Sequence, residues 1–482
     1  MNKNRILDTD SYKRSHYAQY PRGTEKVFSY LESRGSEREW DSTLFFGLQY
    51  ILKEYFANPI SYEEFYEAAA LVPQHLVPFN EAGWRKLIEK HHGRLPLRIR
   101  AVPEGSIVPT QNALMTVENT DPEFFWLTSY FETQLMRLWY PITVATQSYY
   151  LKKLIYSYLE KTADDPDNEV LFKLHDFGSR GVSSAESAAI GGAAHLVNFR
   201  GTDTIVAMRL LRNYYNHEVS AYSIPAAEHS TITSWGREHE TEAYRNMLVQ
   251  YAKPGGMVAV VSDSWDIYNA VEKIWGETLR QEVIDSGSTV VIRPDSGDPQ
   301  EVVSKVTNLL ADKFGTTANS KGYKVLKNVR VIQGDGVNPQ SIASILESLE
   351  SQGFSATNIA FGMGGALLQK VDRDTLKFAF KCSAIQIGGQ WQDVYKDPVT
   401  DHGKRSKRGR LDLIKIDDEA GSRKYETIRL DDVERDGTPV RTAMHTVFQD
   451  GEIYYTGDES LERIRHRASR EFIHATLAAQ PA

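Results

Sequence analysis

From residue 170 onward the chain repeats one pattern of apolar and polar positions. A short apolar run, often β-branched, is followed at once by Asp, His, Ser, Arg or Gly. The pattern occurs in VLFKLHDFGSRG (170–181), AYSIPAAEHST (221–231), GMVAVVSDSWD (256–266), TVVIRPDSGDP (289–299), VRVIQGDGVNP (329–339) and NIAFGMGGALL (358–368). Short apolar runs of this kind fit fully buried strands. Between them lie amphipathic stretches such as DIYNAVEKIWGETLRQEVI, PQEVVSKVTNLLADKF and PQSIASILESLESQGF, which read as helices. Asp263 to Asp295 spans 32 positions, Asp295 to Asp335 spans 40, and Asp335 to Gly364 spans 29; these are βα-unit lengths. With LKFAFKCSAIQI and DTIVAMRLL, the latter readable as strand or helix, counted as further strands, seven or eight units result. The expected fold is α/β: a β/α barrel-like domain, in which every polar tail faces the same end. The alternative is an open doubly wound sheet, where only some tails converge.

The flanking segments have another texture. KVFSYLESR (26–34) reads as a strand and LFFGLQYILKEYF (44–56) as an amphipathic helix. Residues 61–92 read as helix interrupted near Pro73 and Pro78. PLRIRAVPEGSIVPTQNALMTVEN (96–119) reads as strands with tight turns. FFWLTSYFETQLMRLWYPITVATQSYYLKKLIYSYLEK (124–161) reads as two helices broken at Pro141. Strand-like segments return between Leu411 and Phe448 and are expected to rejoin the N-terminal β unit. The expected division is 1–165, an N-terminal α+β segment; 166–395, the barrel-like domain; and 396–482, a basic loop and a segment completing a mixed α+β domain with the N-terminal one.

Composition narrows the function classes. With 41% hydrophobic and 25% charged residues over 482 positions, the chain has the balance of a soluble globular protein. A net charge of −8 argues against general nucleic-acid binding. The basic loop 396–413 leaves three readings: a plain surface loop, a nucleic-acid patch, or a loop closing over a polyanion. The single cysteine, Cys382, excludes an intrachain disulfide and suits a reducing cytoplasm. Neither a signal-peptide stretch nor an apolar run of membrane-spanning length is expected.

The strand tails favour phosphate chemistry. Gly334-Asp335-Gly336 and Gly362-Met363-Gly364-Gly365 permit backbone N–H groups to approach phosphate oxygens, and barrels commonly place phosphate at the last two βα loops. Arg180, Arg293 and Arg373 suggest more than one phosphate group, although most arginines form surface ion pairs. Asp263, Asp295 and Asp335 end successive strands. Carboxylates there would hold Mg²⁺, usually through water, or sugar hydroxyls. His229, beside Glu228, is a candidate phosphate ligand or phosphoryl acceptor. A Pro/Asp/Gly turn at 294–297 needs no chemistry to explain it, so that stretch alone leaves the two readings level.

Taken in order, LDTDSYKRSHYAQYP, FFGLQYIL, WYPITVAT, KLHDFGSRGVSS, HLVNFRGTDT, YSIPAAEHSTIT, VVSDSWDIYNA, IRPDSGDP, VIQGDGV, FKCS, KDP and KRSK resemble the nicotinamide phosphoribosyltransferase family, from about Leu7 to Phe448. The resemblance implies a type II phosphoribosyltransferase fold and a homodimer with active sites at the interface. It implies transfer from phosphoribosyl pyrophosphate to nicotinamide, within pyridine nucleotide (NAD) salvage, with Mg²⁺ and with ATP as a coupled co-substrate. Nicotinate is the alternative base. On matching positions it places the pyridine ring between Phe177 and Tyr12 of the other subunit, and the carboxamide on Asp203. It places pyrophosphate on Arg180, His229 and Arg293, and ribose hydroxyls on Asp295. The ribose and 5′-phosphate fall to Gly334, Asp335, Gly364, Gly365 and Arg373, and the phosphate-rich mouth to Lys381, Lys396 and Lys404. It makes His229 the residue phosphorylated by ATP. Asp263 and Asp295 are the expected metal contacts, through water. Ser179 and Met363 depart from the family pattern, and Ile224 is expected to narrow the ring pocket slightly.

Overall fold

The computed structural model describes residues 4–219, 221–400, 405–417, 423–436, 441–454 and 459–478. The chain divides into two compact units. One comprises residues 1–146, 213–217 and 372–482; the other comprises 147–212 and 218–371.

The second unit is built on six parallel strands. Their order across the sheet is Gly201–Thr202, Leu174–Asp176, Ile359–Met363, Val329–Gln333, Thr289–Arg293 and Met257–Val261. An irregular segment around 222–226 touches both edges. Tyr222 bridges Gly201, and Ala226 bridges Ala259. The Ala227 amide donates to the Ala259 carbonyl at 2.9 Å, and the Ala259 amide to the Pro225 carbonyl at 2.9 Å. Residues 222–226 thereby link the two edge strands of the sheet. Ala259, Val291 and Ile332 form the buried interior, with Phe177, Ile224 and Ala360 packed on it. Their strand neighbours Val258, Val260, Val290 and Ile292 are fully buried too, on the opposite face dictated by the pleat. Burial on both faces explains why these strands read as continuous apolar runs.

The strand tails turn directly into capped helices. Asp298 caps Pro299–Phe314, accepting from the Glu301 amide at 3.0 Å, with Pro299 at the first helical position. Asn338 forms a capping box with Ser341 at the start of Pro339–Ser351. Gly297 and Gly336 have φ of +85° and +67°, which only glycine adopts without strain. So each polar tail is a tight strand-to-helix turn with its side chains at the sheet's rim.

The first unit holds a seven-stranded antiparallel sheet. Its order is Gln390–Asp393, Phe378–Ile387, Thr24–Ser33, Ala113–Asn119, Leu97–Ala101, His445–Gln449 and Glu452–Ile453. Residues from both chain ends therefore share one sheet.

Two expectations change, and the alternative left open at DTIVAMRLL resolves as helix. LKFAFKCSAIQI is not a strand of the parallel sheet: Phe378–Ile387 pairs antiparallel with Thr24–Ser33, so residues 372–395 fall in the first unit. DTIVAMRLL contributes the helix Ile205–Tyr215, its apolar residues at helical rather than strand spacing. Pro141 is the third residue of Trp139–Thr162 and opens that helix, where its missing N–H costs nothing.

Candidate active site

The carboxyl ends of the parallel strands bring the predicted side chains together around Asp263. Its side chain is 4% exposed. Oδ1 lies 3.0 Å from His229 Nε2, and Oδ2 accepts from the Asp295 amide at 3.1 Å and the Ser296 hydroxyl at 2.6 Å. One buried carboxylate thus sets the orientation of a histidine from one loop and the backbone of the next. Asp263 is thus engaged by three partners within this unit. Among the described residues no group of three His, Cys, Asp or Glu has a metal-holding arrangement.

Asp295 stands beside it. Its Oδ2 is 3.5 Å from Arg293 Nη2 and 3.9 Å from His229 Nδ1. Burial raises the Asp295 carboxyl above the usual carboxylate range; Asp263 and Asp335 push it further up, while Arg293 and His229 oppose them. Three carboxylates, one guanidinium and one imidazole therefore share a field at a single rim. Arg293 Nε is buried without a hydrogen-bond partner, an arrangement suited to an anionic ligand.

The floor is aromatic. The Phe177 amide donates to the Met363 carbonyl at 3.0 Å, which fixes its ring over the last strand. A Cβ added to Gly362 would stand 1.9 Å from Phe177 Cε2; only glycine leaves room for the ring. A Cβ on Gly334 would lie 3.1 Å from Asp295 Oδ1 and 3.6 Å from Phe177 Cε2. Ile224 packs against the same interior cluster as Phe177. Met363 is 1% exposed, so its bulk is taken up by the core.

The Phe177–Gly181 turn lies against the second glycine loop. A Cβ on Gly181 would approach the Gly365 amide nitrogen at 3.2 Å, and one on Gly364 would approach the Phe177 carbonyl at 3.4 Å. Arg180, exposed on this turn, therefore sits beside Gly364 and Gly365. The helix these glycines open, Gly365–Leu368, has four residues, so backbone N–H groups rather than a macrodipole are what it offers an anion.

Asp203 follows the Gly201–Thr202 strand. Its amide donates to the Asp176 carbonyl at 3.0 Å, and its Oδ1 accepts from the Ser223 hydroxyl at 2.7 Å. Sequence reasoning missed Asp176, which is wholly buried and accepts from the Gly178 amide at 2.7 Å and the Thr202 hydroxyl at 3.3 Å. It ties the Phe177 turn to the Asp203 strand. Its signal was present in His175-Asp176-Phe177-Gly178, where an Asp two residues before a Gly-bearing turn suits a side-chain-to-backbone bond. Ser223, Ser296 and Gln333, whose Nε2 donates to the Asp335 carbonyl at 2.7 Å, were missed as well.

Tyr12, Arg373, Lys381 and Lys396 belong to the other compact unit. Tyr12 is 61% exposed and meets His16 edge-on at 5.2 Å. Arg373 is exposed and pairs with Asp374 at 3.1 Å. The Lys381 ammonium is held below the usual lysine range, first by burial, then by Arg34, Lys396 and Lys13, with Glu132 opposing. Cations thus gather around it within that unit. Lys404 lies outside the described residues.

Residues 172–452 match the model of the nicotinate phosphoribosyltransferase family, and residues 4–99 match the N-terminal domain of nicotinamide phosphoribosyltransferase. The chain is 57% identical over 465 residues to a nicotinamide phosphoribosyltransferase of Xanthomonas campestris pv. campestris, covering 96% of this chain and 98% of that one. It is 34% identical to one of Acinetobacter baylyi, covering 96% of each. The fold is shared with the crystal structure of a nicotinate-nucleotide pyrophosphorylase from Pyrococcus furiosus, at a TM-score of 0.63 and 14% identity over 98% of this chain and 96% of that one. The chain therefore belongs to the nicotinate phosphoribosyltransferase family and is a phosphoribosyltransferase enzyme.

Proposed function

We propose that the enzyme joins nicotinamide to the ribosyl carbon of phosphoribosyl pyrophosphate, releasing pyrophosphate and forming nicotinamide mononucleotide. The observation that carries this is the convergence of Arg293, His229 and Asp295 on one rim, beside the Phe177 ring laid over Gly362. The names of the relatives at 57% and 34% identity support the amide as the base.

The base needs orientation and the leaving group needs charge stabilisation; little proton transfer is required. Phe177 offers a flat face for a pyridine ring, with Tyr12 of a second copy of the chain closing it in a homodimer. Asp203 accepts from the carboxamide NH₂. A carboxylate there disfavours nicotinate, which presents a second negative charge. Arg293, Arg180 and His229 take the pyrophosphate as it departs. Asp295 and Asp335 hold ribose hydroxyls, and the Gly334, Gly364 and Gly365 backbone, with Arg373, holds the 5′-phosphate. Lys381, Lys396 and Lys404 serve the phosphate-rich mouth. Asp263 and Asp295 would hold Mg²⁺ through water, and the ion would offset the charge of the pyrophosphate.

His229 is the site through which ATP hydrolysis is coupled. With Nε2–H donated to Asp263, Nδ1 keeps its lone pair and is the nucleophile. Nδ1 bonds to the γ-phosphorus, the bond to the bridging oxygen breaks, and ADP leaves. Water later cleaves the phosphohistidine.

The test is pyrophosphate release from phosphoribosyl pyrophosphate and Mg²⁺ with each base supplied singly, with and without ATP. Release with nicotinamide and much less with nicotinate supports the reading. A preference for nicotinate would establish the alternative base.

A further inference from the structure

The C-terminal helix Leu461–Ala478 has two distinct faces. Leu461, Ile464, Ala468 and Phe472 are buried and hold the helix to its unit. Arg463, His466, Arg467 and Arg470 recur at i, i+3, i+4 and i+7, which sets them on one side. That side lines an open cavity of about 770 Å³.

Lys415, from the Leu411–Asp417 strand, and Arg441 line the same cavity, with His445 beside them. Five Lys and Arg side chains thus face one space, against Glu462 as the one acidic residue among the described lining. Arg467 has a carboxylate within 3.7 Å, Glu459, and also donates to the Glu104 carbonyl. A helix's solvent face usually mixes signs, and like charges at this spacing repel. The concentration is also contrary to the chain's net charge of −8. None of these residues belongs to the Asp263–His229 cluster.

We propose that this cavity is a second anion site, and that its ligand class is an oligophosphate. The cavity has the dimensions of a small-molecule site, and it is concave rather than an extended stripe tracking a nucleic-acid backbone. Guanidinium forks match phosphate oxygens bidentately. Arginines from a helix and from a separate segment reach more than one phosphate group at once. Tyr425, the aromatic side chain of the lining, has the Lys415 ammonium over its ring at 5.2 Å, so phosphate groups rather than a stacked base are the recognised element.

The test is calorimetric titration of inorganic tripolyphosphate into the full chain, its Arg293→Ala variant, and Arg441→Gln and Arg470→Gln variants. A site at one per chain survives in Arg293→Ala, weakens roughly tenfold in each cavity variant, and recovers in Arg470→Lys. Binding also falls as NaCl rises. Loss of all binding in Arg293→Ala, or unchanged binding in both cavity variants, overturns the proposal; so does citrate binding as tightly as tripolyphosphate. In the unaltered chain, tripolyphosphate slows amide exchange along 461–472; no change in exchange there overturns it without any substitution.

Discussion

His229 Nε2 lies 3.0 Å from Asp263 Oδ1, and the other oxygen of the same carboxylate holds the Asp295 amide and the Ser296 hydroxyl. Asp263 therefore orients both the His229 ring and the Asp295 backbone, and under the proposed function it would position the phosphoryl acceptor and the ribose contact. Asp263→Asn keeps the volume but removes the charge and turns part of the group into a donor. Phosphate incorporation from ATP into the variant falls at least about tenfold, as expected for a lost charge-assisted hydrogen bond of about 1.5–3 kcal/mol. The KM for phosphoribosyl pyrophosphate rises with it. Incorporation at the unaltered level would remove His229 orientation from Asp263's role.

Asp295 carries the pH dependence. Its carboxyl is raised by burial and by Asp263 and Asp335, so it protonates at a higher pH than an ordinary aspartate. The ribose contact proposed for Asp295 would need the carboxylate, so kcat/KM is expected to fall as pH drops through that raised value. Asp335→Asn removes one of the raising charges. The acid limb of its residual kcat/KM profile moves to lower pH; a limb that stays put assigns it to another group.

Gly362 is the floor of the base pocket. Gly362→Ala puts a methyl group 1.9 Å from Phe177 Cε2, so the ring must move. Overpacking of this kind costs about 1–3 kcal/mol of stability, and the KM for the base rises more than kcat falls. A folded Gly362→Ala enzyme with normal KM would show that Phe177 does not stack the base.

Glu104 gives a stability prediction away from the chemistry. It is fully buried, and burial is the largest cause of its rise from 4.5 to about 7, with Glu459 adding to it. Between those values the folded chain holds a proton that the unfolded chain has released, so stability falls as pH rises through the window. The loss is complete above about pH 7 and is at most about 3 kcal/mol. Glu104→Gln keeps an acceptor for the Gln49 amide, 2.6 Å from Oε1. Its unfolding midpoint matches wild type near pH 5 and exceeds it at pH 8. Parallel curves for the two proteins would contradict the burial argument.

The parallel strands were legible because burial on both faces leaves continuous apolar runs, and because tight turns need Pro, Gly and Asp. Phe378–Ile387 was misplaced because apolar content does not name a partner strand. Its ten residues, against five in Thr289–Arg293, were the available sign that it belonged to a different sheet. His229, Arg293 and Asp295 were legible as polar residues closing apolar runs, and the structure puts the first two within 3.9 Å of Asp295. That Asp263 also orients His229 and the Asp295 backbone was not legible, because a sequence shows which residue types end strands and not which donors fold onto them. Asp176 was missed because one of its two donors, Thr202, is brought to it only by folding, while the other, Gly178, is local.

The proposed role of Asp203 in base selection is tested most directly by competition. Equal nicotinamide and nicotinate are given to the wild-type enzyme and to Asp203→Ala with phosphoribosyl pyrophosphate, Mg²⁺ and ATP, and both mononucleotides are measured by mass spectrometry. The amide product dominates for wild type, and the preference collapses by roughly tenfold or more in Asp203→Ala. Predominance of the acid product with wild type, or an unchanged ratio in the variant, would contradict the account.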